Sequence, residues 1–185
     1  VTGVQTCALP ISLYSRKVGI VGFGSIGSTI ARMLSGFNCE VIGFTKSGRD
    51  KTKNISELDS YLPNLDVIIL ILPLTSESRK LFDARRLSLL KDGALLVNVA
   101  RGPIVDTEAL LNELNSKRIY AALDVTDPEP LPEDHPLWKV SNVFISPHVG
   151  GNTSAFEPRA RKLIESQLEK FAAGLPLDNV VAVGK

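Results

Sequence analysis

The sequence predicts a doubly wound α/β fold, a parallel sheet with helices on both faces. Three observations lead there. Short aliphatic and β-branched runs recur, amphipathic stretches lie between them, and a glycine-rich turn joins the first run to the first helical stretch.

The runs are 17–23 (KVGIVGF), 39–44 (CEVIGF), 66–72 (DVIILIL), 94–100 (ALLVNVA), 119–125 (IYAALDV) and 142–146 (NVFIS). They are continuously apolar, as strands buried on both faces of a parallel sheet must be. Between the first two, residues 25–36 put Ile26, Ile30, Met33 and Leu34 on one helical face, with Gly36 as the expected C-cap. Residues 56–62 open with a capping-box pattern, Ser56 and Asp59. In 106–117, Asp106 is the expected N-cap, with Glu108 in the first turn and Lys117 in the last, matching the helix dipole. After Pro147 the alternation stops. Residues 152–173 read as one long helix with Phe156, Ala160, Leu163, Ile164, Leu168 and Phe171 along a stripe. Pro158 falls in its first turns, where proline is tolerated. PLDNVVAV then closes the chain as a short extended piece.

Composition narrows the function. The chain has 185 residues, enough to bury a core without disulfides. Its 21 basic and 20 acidic residues nearly cancel, which gives no footprint for nucleic acid or an anionic membrane. The apolar run 65–74 has about half the length of a membrane-spanning helix. No signal-peptide pattern opens the chain. Two cysteines, Cys7 and Cys39, make no disulfide framework. A cytoplasmic protein with no metal site is expected.

The turn at 20–27, IVGFGSIG, sets Gly22, Gly24 and Gly27 in a G-x-G-x-x-G directly after a strand and at the head of a helix. Gly22 permits the tight turn, Gly24 a close backbone approach to a pyrophosphate, and Gly27 close helix–strand packing, while the helix N-terminus offers N–H groups to the phosphates. This strand–turn–helix context points to a dinucleotide. The second strand should end in an acid that grips the ribose of NAD. Thr45 stands there instead, with Lys46, Ser47 and Arg49 after it. Hydroxyl and cationic donors suit a 2′-phosphate, so NAD or NADP is expected with NADP slightly favoured. Lys46 and Arg49 as a merely solvated loop, with Asp50 swinging in, is the other reading.

Three more stretches hold reactive side chains at strand ends. VNVARGPIVD carries Arg101, ALDVTDPEPLP carries Asp124 and Glu129, and FISPHVGG carries His148. Together with GFGSIG, these motifs in this order resemble the D-isomer-specific 2-hydroxyacid dehydrogenases. The resemblance implies a Rossmann-type coenzyme domain and hydride transfer between NAD(P)H and a small 2-oxo or D-2-hydroxy acid such as hydroxypyruvate, glyoxylate or phosphoglycerate. It implies that Arg101 holds the substrate carboxylate and carbonyl, that Glu129 pairs with the histidine, and that His148 is the acid/base. It carries coenzyme contacts to Ser25 and Ile26, to Thr45, and to Leu72 and Pro73. Val99, Ala100, Arg101, Asp124, His148 and Gly150 are implied as well. The chemistry fits: reduction builds negative charge on a carbonyl oxygen, which an imidazolium can protonate beside a forked, always-charged guanidinium. His135, in PEDHPLW, is expected to be structural or solvent-facing, and Cys39 a small core residue.

The resemblance further implies a second, substrate domain, most of it missing here. Residues 13–150 are then the dinucleotide-binding domain. Residues 151–185 are the helix and tail of the incomplete one, with an apolar stripe short of partners. The expectation is a fragment with little turnover, from a parent that forms a homodimer. A coenzyme-sensing interaction protein, like the dehydrogenase-like corepressors of this family, is the alternative. Residues 1–12, VTGVQTCALPIS, resemble the conceptual translation of a sequencing adapter, and are expected to be non-native and poorly packed.

Overall fold

The computed structural model describes residues 12–49 and 51–180. The adapter-like stretch, apart from Ser12, and Asp50 lie outside them.

Strand β1 (Lys17–Val21) leads through the glycine turn into helix α1 (Ser25–Leu34) and on to β2 (Glu40–Thr45). A two-residue strand, β3 (Lys53–Asn54), and a short helix, α2 (Leu58–Tyr61), follow. Then come β4 (Val67–Leu70), α3 (Ala84–Leu89), β5 (Leu95–Asn98), α4 (Thr107–Asn115), β6 (Tyr120–Leu123) and β7 (Val143–Ile145). Among the described residues these strands form one sheet in the order β3-β2-β1-β4-β5-β6-β7, and every neighbouring pair is parallel. The chain therefore builds outward from β1 in one direction, returns, and builds outward in the other. That reversal leaves a split at the carboxyl ends of β1 and β4, where ligands of such sheets bind.

Alternation along the strands fills both faces. Val21, Ile68, Leu70 and Leu96 join the large cluster, with Leu58 and Leu62 of α2, Leu87 of α3, and Leu110 and Leu114 of α4. Val18, Ile20, Val67 and Ile69, at alternate positions on β1 and β4, point the other way, against Ile30 and Leu34 of α1. The continuous apolar runs are explained by this two-sided burial.

The opposite, amino edge of β1 and β4 is clamped by one carboxylate. Asp66 accepts hydrogen bonds from the Lys17 amide at 2.8 Å, Arg16 at 2.9 Å and Lys91 at 2.7 Å. Burial alone would raise its carboxyl, but the Lys17 amide, Lys91 and Arg16 outweigh burial and hold it below the usual carboxylate range.

Several expected ends differ. The capping box belongs to Asn54 and Glu57, not Ser56 and Asp59: Asn54 accepts from the Ser56 amide, and Glu57 accepts from the Asn54 amide. Gly36 is not a C-cap, because a 3-10 turn over Ser35–Phe37 prolongs α1 and Asn38 takes the left-handed conformation, φ 53°. Lys117 lies past the end of α4, also left-handed at φ 58°. Asp106 does cap α4, accepting from the Ala109 amide. Pro176–Val180 form no strand, and the last five residues lie outside the described ones.

The residues up to Pro147 form one compact unit and those from His148 a second. The second unit is built on α5 (Phe156–Ala172), with Pro158 in its first turn. Phe156, Leu163, Ile164, Leu168 and Phe171 are all at least half exposed along it. Its tail folds back through Asp178, whose amide donates to Gln167 and whose carboxylate accepts from Lys170.

Asp66→Asn is expected to lower stability by about 1–3 kcal/mol at pH 7. A carboxyl depressed on folding stabilises fully above its unfolded value, about 3.9, and loses that contribution as pH falls through the folded one. Urea unfolding of both proteins at pH 7 and in acid should therefore show the difference shrinking in acid.

Candidate coenzyme site

The turn after β1 sits at the split. The Gly22 amide donates to the Phe44 carbonyl, and the Ile71 amide to the Val21 carbonyl, so β1 is held from both sides up to its last residue. Gly22 has φ 101°, and a Cβ there would lie 2.3 Å from the Ile71 carbonyl oxygen. A Cβ on Gly27 would meet the Gly22 carbonyl at 2.2 Å, which fixes how closely α1 sits on the turn. Gly24 is different: a Cβ there meets nothing within 4 Å. The fold does not require its bareness. Gly24 is the N-cap of α1 with no side-chain cap, so the first-turn amides, with exposed Ser25 and Ile26, are presented outward.

Beside Gly22 opens a cavity of about 350 Å³. Phe23, Phe44, Ile55, Leu72, Pro73 and Leu81 give it apolar walls, and Thr45, Lys46, Thr75, Glu77 and Ser78 give it a polar rim. An apolar slot with a polar rim, next to a glycine turn at a helix head, fits the adenosine half of a dinucleotide.

Both lips of the slot are braced. Thr45 Oγ1 lies 2.8 Å from Thr52 Oγ1 and accepts from the Gly48 amide at 3.0 Å. Asn54 Nδ2 donates to the Lys46 carbonyl at 2.9 Å. Across the slot, the Thr75 amide donates to Ser78 Oγ at 2.7 Å, and Ser78 Oγ donates to the Pro73 carbonyl at 2.8 Å. Thr45 is thus committed to its own loop, and Lys46 faces Glu77 across the rim.

Arg101 follows β5. Buried Asn98 donates to its carbonyl at 3.1 Å and accepts from the Ala100 amide at 3.1 Å, fixing the turn that presents it. The guanidinium donates to the Ala100 carbonyl at 2.6 Å. Ala100 itself is buried, so only its backbone can face a ligand, whereas Val99 is partly exposed. Gly102 lets this turn press against the next loop, where a Cβ would collide with the Thr126 carbonyl. Asp124, after β6, donates its amide to the Asn98 carbonyl and accepts from the Ser146 hydroxyl. Glu129 is exposed in the loop beyond. His148 and Gly150 open the second unit and are exposed, His148 in the left-handed region at φ 56°. Arg49 lies in the loop braced by Thr45 and Thr52, and its carbonyl accepts from Thr52. His135 Nδ1 accepts from the Leu137 amide, a structural cap as expected. Cys39 packs, partly buried, against the α1 face.

Residues 4–150 match the model of a family described as D-isomer specific 2-hydroxyacid dehydrogenase, NAD binding domain. The chain belongs to this family. A glyoxylate reductase of Pyrococcus furiosus is 36% identical over 172 residues, 90% of this chain and 51% of that protein. A family dehydrogenase from Xanthobacter autotrophicus Py2, solved with NADPH and MES, is 34% identical with a TM-score of 0.83, over 94% of this chain and 74% of that one. An NADPH-dependent glyoxylate/hydroxypyruvate reductase from Sinorhizobium meliloti, solved with NADP and sulfate, is 31% identical with a TM-score of 0.85, over 93% and 57%. The chain spans about half the length of the curated relatives it matches. This family member thus carries an NAD(P)-binding domain of Rossmann type.

Among the described residues no group of three or more His, Cys, Asp or Glu could hold a metal ion, and no helix is long and apolar enough to cross a membrane. The sequence reading missed Glu77, Ser78, Asn98 and Ser146. A signal existed for Ser78: Thr75 and Ser78 straddle a turn directly after an apolar run, where hydroxyls bond the local backbone.

Gly22→Ala is expected to destabilise the fold by several kcal/mol, through both φ and the Ile71 contact. Gly24→Ala should leave the melting temperature nearly unchanged and weaken NADH and NADPH binding about tenfold or more. Thermal unfolding beside coenzyme fluorescence titration checks the pair.

Proposed function

We propose that this chain is the coenzyme-binding part of an NAD(P)H-dependent reductase of small 2-oxo acids, with glyoxylate and hydroxypyruvate as the first substrates to try. The slot beside Gly22, apolar inside and with Thr45 and Lys46 where the end of β2 would carry an acid, is the observation that carries it. Lys46 on this rim, with Arg49 further along the same braced loop, supports a slight preference for NADP. The chain's relatives include reductases of both substrates, and two solved neighbours hold NADPH or NADP.

When bound, the nicotinamide supplies the hydride. Gly24 and the first-turn amides of α1, with Ser25 and Ile26, receive the pyrophosphate; Leu72 and Pro73 line the adenosine slot. Val99, the Ala100 backbone and Asp124 orient the nicotinamide end, and Gly150 contributes from beyond His148. Arg101 holds the substrate carboxylate and polarises its carbonyl, as a forked guanidinium does best. His148 is assigned the delivery of the proton to the carbonyl oxygen, and Glu129 the role of its carboxylate partner. In this reading residues 13–150 are the coenzyme domain, 151–185 belong to a substrate domain, and the whole enzyme is a cytoplasmic homodimer that binds neither nucleic acid nor membrane.

Fluorescence titration of the chain with NADPH and NADH should show saturable binding of both, tighter for NADPH. Turnover of glyoxylate or hydroxypyruvate by this chain alone should be slight; rates near those of complete reductases would sink the assignment of 151–185 to an unfinished domain.

A further inference from the structure

Glu77 lines the same slot as Thr45 and Lys46, although it comes from neither the glycine turn nor the end of β2. It lies in the loop after β4, on the rim of the adenosine slot opposite Lys46. Lys46 Nζ is 2.8 Å from Glu77 Oε1 and 2.8 Å from Oε2, a symmetric pairing across the mouth. Neither partner's backbone is loose: the Thr75–Ser78 turn is fixed by Ser78, which is 6% exposed, and Asn54 holds the Lys46 carbonyl.

We propose that Glu77 sets the balance between NAD and NADP in this chain, standing in for the acid that β2 lacks; this rests on the coenzyme reading above. A carboxylate at the rim accepts hydrogen bonds from a ribose diol and repels a 2′-phosphate. Glu77 also occupies the cation such a phosphate would seek, so Lys46 must leave one anion to meet another. Lys46 and Arg49 favour NADP, Glu77 opposes them, and the chain accepts both coenzymes with a small ratio between them.

The two side chains are largely exposed, so the effect is modest: a pair at such exposure shifts binding by about two- to fivefold. Dissociation constants for NADPH, NADH and adenosine 2′,5′-bisphosphate, measured on the full chain by titration, read it directly. In Glu77→Gln, NADPH and the bisphosphate should bind about threefold tighter and NADH somewhat weaker, with the NADPH gain fading as salt is raised. Lys46→Gln should move the ratio the other way. Binding of both coenzymes with an unmoved ratio in Glu77→Gln, or equal shifts for both, overturns the inference and leaves the coenzyme reading standing. Failure of the unsubstituted chain to bind either coenzyme overturns both.

Discussion

Parallel pairing is the constraint on which everything else in this chain depends. A parallel strand cannot turn straight into its neighbour, so each connection must cross back over a face of the sheet. All carboxyl ends then fall on one edge and all amino ends on the other. The places of the candidate site residues of the first unit follow from this: the glycine turn after β1, Thr45 at the end of β2, Glu77 after β4, Arg101 after β5 and Asp124 after β6. The amino edge carries the clamp on Asp66 instead. One edge is given to ligands, the other to holding the strands in register.

Much of this was legible in the sequence because its signals are local. Two-sided burial writes continuous apolar runs, and the glycine turn needs only eight residues to state its geometry. The boundaries were harder. Asn54 and Ser56 each stand three residues before an acid, so either satisfies a capping box on paper. Asn54 wins because its amide nitrogen also holds the Lys46 carbonyl, a contact that exists only once β2 and β3 lie side by side. Strand β3 itself is two residues long, too short to carry any period.

The rest of the candidate site was hidden by distance along the chain. Glu77 meets a lysine 31 residues away, and Ser146 meets Asp124 across 22. Asn98 looked like one polar residue inside an apolar run, yet it is buried and spans the turn that presents Arg101. In each case the side chain supports a neighbour's position, and such support leaves no pattern in composition or spacing. Thr45 shows the converse. It ends β2 as expected, but its hydroxyl is held within its own loop, while Lys46 and Arg49 beyond it are exposed.

The brace formed by Thr45, Thr52 and Asn54 has a consequence for how this lineage can change. Thr45 holds Thr52 and the Gly48 amide, and Asn54 holds the Lys46 carbonyl, so the anchors of the 46–52 loop sit at its two ends. A substitution at Lys46 therefore alters the charge shown to a ligand while these anchors stay as they are. The side chains that hold this loop and the lysine that faces solvent are different residues. The charge at this rim can thus be changed at its outermost residue while the Thr45–Thr52–Asn54 brace remains intact.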